Sequence, residues 1–183
     1  MILFKQIAYR NFLSSGNQPT EIKFTDTQTT LIVGANGSGK STMLDALCFG
    51  LFNKAFRKIN KSQLINSTNE KECLVEIDFS IGTKEYKIKR GIKPNIFEIW
   101  IDGILQNQAA SSADQQKQLE DSILKLNYKS FTQIVILGSA SFTPFMQLPL
   151  GHRREIIEDI LDIQIFTVMN SVLKDKTTEI KNQ

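Results

Sequence analysis

The sequence predicts an α/β fold: a mixed sheet around one apolar helix, an antiparallel β-subdomain beside it, and a closing helix that runs out of the core. Three observations predict it. A glycine-rich loop, Gly34-Ala35-Asn36-Gly37-Ser38-Gly39-Lys40-Ser41, lies between a β-branched run and an apolar helix. From Glu72 to Leu105 apolar and polar residues alternate with a period of two. After Gly151, Ile156, Ile160, Ile163, Phe166, Met169 and Leu173 step by three or four residues into an apolar seam.

In chain order, Ile2 to Phe12 alternates like a strand, and Ser14 to Pro19 supplies a turn before Glu21-Ile22-Lys23-Phe24 resumes the alternation. Gln28 to Val33 is apolar and β-branched enough for a buried strand entering the loop. Thr42 to Phe52 is apolar almost all round, so the helix leaving the loop is expected inside a core.

Asn53 to Asn69 is polar and basic and reads as a long loop. Leu74 to Ile81 and Tyr86 to Arg90 form a hairpin across Gly82-Thr83, and Ile96 to Ile101 returns through Asp102-Gly103 to Ile104-Leu105. Ser111 to Asp114 caps a helix running to about Leu126, and Thr132 to Leu137 reads as a short buried strand. The expected division is residues 1–150 as one lobe and 151–183 as an exit helix.

The loop satisfies the G-x-x-x-x-G-K-[ST] pattern without a mismatch. Its glycines let the backbone approach an anion, and the N–H groups of Asn36, Gly37, Ser38 and Gly39 can cradle phosphates. Lys40 brings a point charge to the β- and γ-phosphates. Ser41 offers a hydroxyl to Mg²⁺, and Thr42 meets the α-phosphate from the helix's first turn. The motif reads as a nucleotide triphosphate site, with ATP and Mg²⁺ as the cofactors.

The 183 residues are 41% apolar with a net charge of +3, enough for a sizeable core and too little charge to establish nucleic-acid binding. Two basic clusters stand out: Lys54, Arg57, Lys58 and Lys61, proposed as DNA contacts, and Lys84, Lys87, Lys89, Arg90 and Lys93. No apolar run is long enough to cross a membrane, so a cytoplasmic location is expected. Cys48 and Cys73 lack metal-ligand spacing and read as buried free thiols; with His152 the sole histidine, transition-metal chemistry is not expected.

A hydrolase of this type needs an acid at the end of an apolar strand and a group that orients water. Ile99-Trp100-Ile101-Asp102 is the nearest match, but Gly103 makes it a hairpin turn. Glu155, Glu158, Asp159 and Asp162 lie on a helix and read as water-facing. The chain has a phosphate cradle without a water activator.

Taken together, Ile7 to Phe12, Gly34 to Thr42, Leu44-Asp45-Ala46-Leu47 and His152 to Ile163 resemble the N-terminal half of the SMC and SbcC class of coiled-coil ATPases, relatives of the ABC transporter nucleotide-binding domains. The compact spacing is similar to the viral branch, the large subunits of T-even-type phage recombination endonuclease complexes. The resemblance implies an ATPase of double-strand-break repair. It also implies that a C-terminal lobe, reached through a coiled coil, brings the acidic strand, the catalytic Glu and the signature loop.

Further implied partners are a second ATPase head in a homodimer, a metal-dependent nuclease subunit and double-stranded DNA, with no membrane and, for a viral protein, the host cytoplasm. The family's Mg²⁺-sensing Gln position falls here on Ser139, a possible metal contact. Relatives often carry a basic residue after Asn-Phe; this chain has Leu13, with Arg10 and Lys5 as substitutes. Two other readings stand beside this one: a lobe of a transporter-type ATPase, and a non-catalytic nucleotide-dependent docking module.

Overall fold

The computed structural model describes residues 2–107, 111–136, 143–161 and 163–181. The chain divides into two compact units, one ending at Leu119 and the other beginning at Glu120.

The first unit is built on a six-stranded sheet in the order β2-β1-β3-β4-β5-β6, with every pairing antiparallel. Its strands are β1 (Ile2–Arg10), β2 (Thr20–Lys23), β3 (Cys73–Ile81), β4 (Lys84–Ile92), β5 (Ile96–Ile101) and β6 (Ile104–Leu105). The alternation sets which side chains are buried: Ile7, Tyr9, Cys73, Val75, Ile77, Phe79, Ile88 and Ile99. Asp102-Gly103 forms the expected turn with φ of 50° and 79°, and the Asp102 carboxylate accepts the Glu85 N–H at 2.8 Å.

Helix α1 (Lys40–Phe52) packs on β3 and β4 and is buried from Asp45 onward. Gly50 sets the approach: a Cβ there would stand 2.4 Å from Ile77 Cδ1 and 3.2 Å from Val75 Cγ1. Arg90, assigned by sequence to a surface basic cluster, is instead 4% exposed. Its Nε donates to Gly50 O at 2.9 Å, its guanidinium lies 3.7 Å from the Phe97 ring centroid, and it also donates to Gln116 on α2 (Ser112–Gln118). Gln116 in turn donates to Leu51 O at 2.9 Å, so the end of α1 is tied to both β4 and α2.

The opposite sheet face is charged but balanced, with Lys87 against Asp78 and Lys89 against Glu76 at 3.4 Å each, and Lys5, at a bulge in β1, against Glu85 at 2.7 Å. Burial raises the Asp78 carboxyl pKa despite the nearby Lys87 charge. The second basic cluster therefore spends most of its charge within the sheet.

Two strand expectations fail. Gln28 to Val33 is irregular, with Leu31 and Val33 each 83% exposed. A strand exists through its ladder partners, none of the described residues pairs with this segment, and Thr27 Oγ1 closes a local turn onto Thr29 O and Thr30.

In the second unit, Thr132 to Ile134 is helical, the end of α3 (Tyr128–Ile134). Asn127 caps it by accepting the Ser130 N–H at 3.0 Å, and Thr132 Oγ1 bonds back to Tyr128 O at 3.0 Å. The helix from Ser111 also divides: α2 gives way at Leu119 to a π-helical segment, Leu119–Leu124.

The closing segment is two helices, α4 (Leu150–Leu161) and α5 (Gln164–Lys181). Asp159, expected to face water, is 5% exposed; its Oδ2 accepts from Asn127 at 2.6 Å and from the Ser130 hydroxyl. No helix among the described residues is long and apolar enough to cross a membrane.

Candidate nucleotide site

The glycine loop delivers the chain to the N-terminus of α1 without a side-chain cap and without an acid in the first turn. The positive end of the helix dipole therefore faces the loop uncompensated. Gly37 and Gly39 take φ of 86° and 91°, conformations that strain any residue with a Cβ. At Gly34 the constraint is space, since a Cβ would come within 2.5 Å of Ser38 Oγ.

Lys40 folds back over the loop, donating to the carbonyls of Gly34 and, at 2.7 Å, Ala35. Its ammonium is thus held against the loop backbone, where it can reach an anion bound by the loop. The turn is held by Ser38 N–H to Ala35 O at 3.2 Å and Thr42 N–H to Gly39 O at 3.0 Å.

A cavity of about 350 Å³ opens here, lined by Asn36, Gly37, Gly39, Lys40, Ser41 and Thr42 from the loop side. Leu13, Ser14 and Arg57 complete its wall. A larger cavity, about 790 Å³, lies on the charged outer face of the sheet around Lys5, Asp78, Lys87 and Trp100. Paired charges line that space, and it lacks the glycine loop and helix N-terminus that favour phosphates, so the smaller cavity is the candidate nucleotide site.

The structure brings the expected loop residues together and adds Leu13, at the position where relatives often carry a basic residue, Ser14, which the sequence did not single out, and Arg57, expected as a DNA contact. Arg57 is the most informative. Its Nη2 lies 2.5 Å from Asp45 Oδ2, its Nε donates to the same oxygen at 2.7 Å, and its N–H donates to Asp45 Oδ1 at 2.9 Å. Asp45 is fully buried on α1, one turn past Ser41, so the pair anchors Arg57 beside the loop.

The signal was present: one acid within an apolar helix demands a cation, and a basic cluster follows it. Lys54, Lys58 and Lys61 are exposed on the same segment. Partial burial, then repulsion from Arg90, lowers the Lys61 pKa. Lys5 is engaged with Glu85 and, like Arg10, is not part of the cavity wall. Ser139 lies outside the described residues.

Mg²⁺ fits only as a companion of the nucleotide. No cluster of three His, Cys, Asp or Glu among the described residues could hold a metal, whereas the Ser41 hydroxyl is exposed in the cavity wall. Cys48 and Cys73 are buried free thiols, as expected, each pushed up to about 12 by burial, with the Asp45 charge adding to the shift at Cys48.

A glycine loop opening an apolar helix under an antiparallel sheet defines a phosphate-loop ATPase fold, and residues 6–183 match the family model described as an AAA domain. The chain belongs to that family. It is 48% identical over 178 residues to Exonuclease subunit 2 of Escherichia phage RB69, covering 97% of this chain and 32% of the relative. It is 47% identical over 169 residues to Exonuclease subunit 2 of Enterobacteria phage T4, covering 92% and 30%. The DNA double-strand break repair Rad50 ATPase of Thermoplasma volcanium is 24% identical over 189 residues, covering 99% and 21%.

The chain thus spans about a third of the length of its phage relatives. A solved chain described under "Structural biochemistry of ATP-driven dimerization and DNA stimulated activation of SMC ATPases" matches with a TM-score of 0.60 and 27% identity, covering 86% of this chain and 99% of the other. The expected α/β class and resemblance are borne out, although among the described residues one antiparallel sheet stands in place of the expected mixed sheet and separate β-subdomain, because Gln28 to Val33 joins no ladder.

Proposed function

We propose that this chain is the ATP-binding lobe of an ATPase that processes DNA double-strand breaks and regulates an associated nuclease. The observation that carries the reading is the uncapped N-terminus of α1 behind a glycine loop, with the Lys40 ammonium held against the loop backbone. In this reading the loop N–H groups and Lys40 neutralise the phosphates, and Ser41 holds Mg²⁺. Bound Mg²⁺ supplies Lewis-acid charge at the phosphates.

The described residues place no acid in the cavity wall to orient water. Hydrolysis therefore waits for a complementary C-terminal lobe, and a second copy of the head closes the site. The exposed apolar run Leu31-Ile32-Val33 supports this, because it leaves an irregular apolar segment entering the loop, paired with none of the described residues and open to a partner strand. Residues 151–183 would form the exit toward a coiled coil: Ile165, Phe166, Met169 and Leu173 of α5 are all at least 53% exposed. Lys54, Lys58 and Lys61 are the proposed duplex contacts; binding through them weakens steeply with salt.

The test is steady-state ATPase activity of this chain with and without the complementary lobe. Turnover near background alone and substantial turnover with that lobe is the expected result; robust turnover by the chain alone contradicts it.

A further inference from the structure

The cavity wall facing the glycine loop is an irregular segment, and the side chain that holds it lies more than fifty residues away. Residues 11–16 leave β1 through two strained positions, Asn11 with φ of 49° and Leu13 with φ of 52°. The turn closes on itself in part: the Asn11 N–H donates to Gly16 O at 2.8 Å, the Ser15 N–H to Phe12 O at 3.0 Å, and the Ser15 hydroxyl bonds both the N–H and the O of Phe12, while an isolated bridge joins Phe12 to Ile65.

The side chain that holds its carbonyls from outside is Asn66, itself 9% exposed. Its carboxamide nitrogen donates to Leu13 O at 3.0 Å and Ser15 O at 3.1 Å. Its carboxamide oxygen accepts the N–H groups of Thr68 at 2.9 Å and Asn69 at 3.1 Å, and its own N–H donates to Asn11 O at 2.9 Å. Two donors and both lone pairs of the side chain are thus used, which fixes its orientation. The Leu13 N–H, donating to Leu64 O at 2.7 Å, pins the same turn from the other side.

We propose that Asn66 is a positioning residue for the nucleotide cavity, holding Leu13 and Ser14 against the glycine loop so that they contact the nucleoside. This rests on the reading of Gly34 to Thr42 as a nucleotide site. The phosphates belong on the loop amides and Lys40, and Leu13 has no group to offer them. What remains for the Leu13 side chain is the sugar and base, and the neighbouring Ser14 hydroxyl can bond to the same nucleoside, an apolar side chain beside a hydroxyl being a suitable surface for it. Asn66 touches no ligand and acts only through the two carbonyls it fixes.

Asn66→Asp keeps the size and the acceptor side of the carboxamide while replacing both donors by a carboxylate that repels Leu13 O and Ser15 O. Asn69→Ala is the control. It removes the 2.7 Å bond from Asn69 Nδ2 to Asn11 Oδ1 in the same polar cluster without touching the carbonyls of the cavity wall. Titrations of the whole chain, followed by NMR, would use Mg²⁺ with ATP and, separately, Mg²⁺ with inorganic triphosphate.

Asn66→Asp is expected to weaken ATP roughly tenfold, the scale of one lost oriented contact, and to leave triphosphate affinity unchanged. Asn69→Ala is expected to lower the melting temperature without changing either affinity. If Asn66→Asp does not fold, the uncharged Asn66→Ser carries the same comparison.

Equal loss of ATP and triphosphate, no loss at all, or the same selective loss in Asn69→Ala overturns the positioning role. Failure of the wild-type chain to bind either ligand, or binding undiminished by Lys40→Ala, instead overturns the nucleotide site and the role with it.

Discussion

At the scale of single residues, the buried thiols give a prediction with a definite sign. Cys48 and Cys73 have pKa values pushed up from 9.0 to about 12, so the folded chain keeps these protons where the unfolded chain has lost them. Between pH 9 and 12 the unfolded state binds fewer protons, and stability falls as pH rises, by about 1.4 kcal/mol per pH unit for each thiol. Urea midpoints measured from pH 8 to 11 check this: the curve is flat to about pH 9 and then descends, and Cys48→Ala with Cys73→Ala flattens the descent. Maleimide labelling at pH 8 is expected to be slow until denaturant is added, since the reactive thiolate is scarce in the folded chain.

Arg90 gives a second prediction at this scale. Arg90→Ala removes its packing on Phe97 and leaves Gly50 O without its donor, and a loss of about 2–4 kcal/mol in a denaturant melt is expected. Sequence reading took Arg90 for a surface charge because it continues the run of Lys87 and Lys89. The pleat places neighbours on opposite faces, however, and Arg90 is the member that turns inward. Asp159 was misread for the same reason, since a helix face is settled by what packs on it, here Asn127 and Ser130.

Among the elements, α1 depends on how closely it lies on β3. Gly50→Val adds branches where even a Cβ would meet Ile77 at 2.4 Å, so destabilisation on the order of 3 kcal/mol is expected from overpacking. The apolar seam of the closing helices divides in the same terms. Ile156 is 3% exposed and Leu173 is 60% exposed. Ile156→Ala is expected to cost about 2–4 kcal/mol, and Leu173→Ala to stay within about 0.5 kcal/mol, in paired chemical melts.

The elements legible in the sequence were those with their own complete signal. The β3–β4 and β5–β6 hairpins carry alternation and turn residues together, and the glycine loop carries its helix. The two misread strands did not: Gln28 to Val33 has strand composition but no neighbour, and Thr132 to Leu137 is a short apolar run that fits either period. Its Asn127 cap, three residues before Ser130, was the signal that would have separated helix from strand.

For the molecule as a whole, the loop side of the candidate site is legible in the sequence and the facing wall is not. Gly34 to Thr42 was readable because phosphate binding needs glycines, a lysine and a hydroxyl at fixed spacing along one stretch. Leu13, Ser14 and Arg57 come from distant stretches; Arg57 is foreshadowed by the buried acid Asp45, but only the fold brings the three to the same cavity. Among the described residues the wall holds a cradle and a cation without an acid, which is why the proposed reading makes the site composite.

The central claim is that the cavity over α1 is where nucleotide binds, and residue-resolved NMR titration of the chain with Mg²⁺ and ATP tests it most directly. Shifts are expected to concentrate at Gly34 to Thr42, Leu13, Ser14 and Arg57 and to be lost in Lys40→Ala. Shifts centred instead on Lys5, Asp78, Lys87 and Trp100, or unchanged by Lys40→Ala, would contradict it.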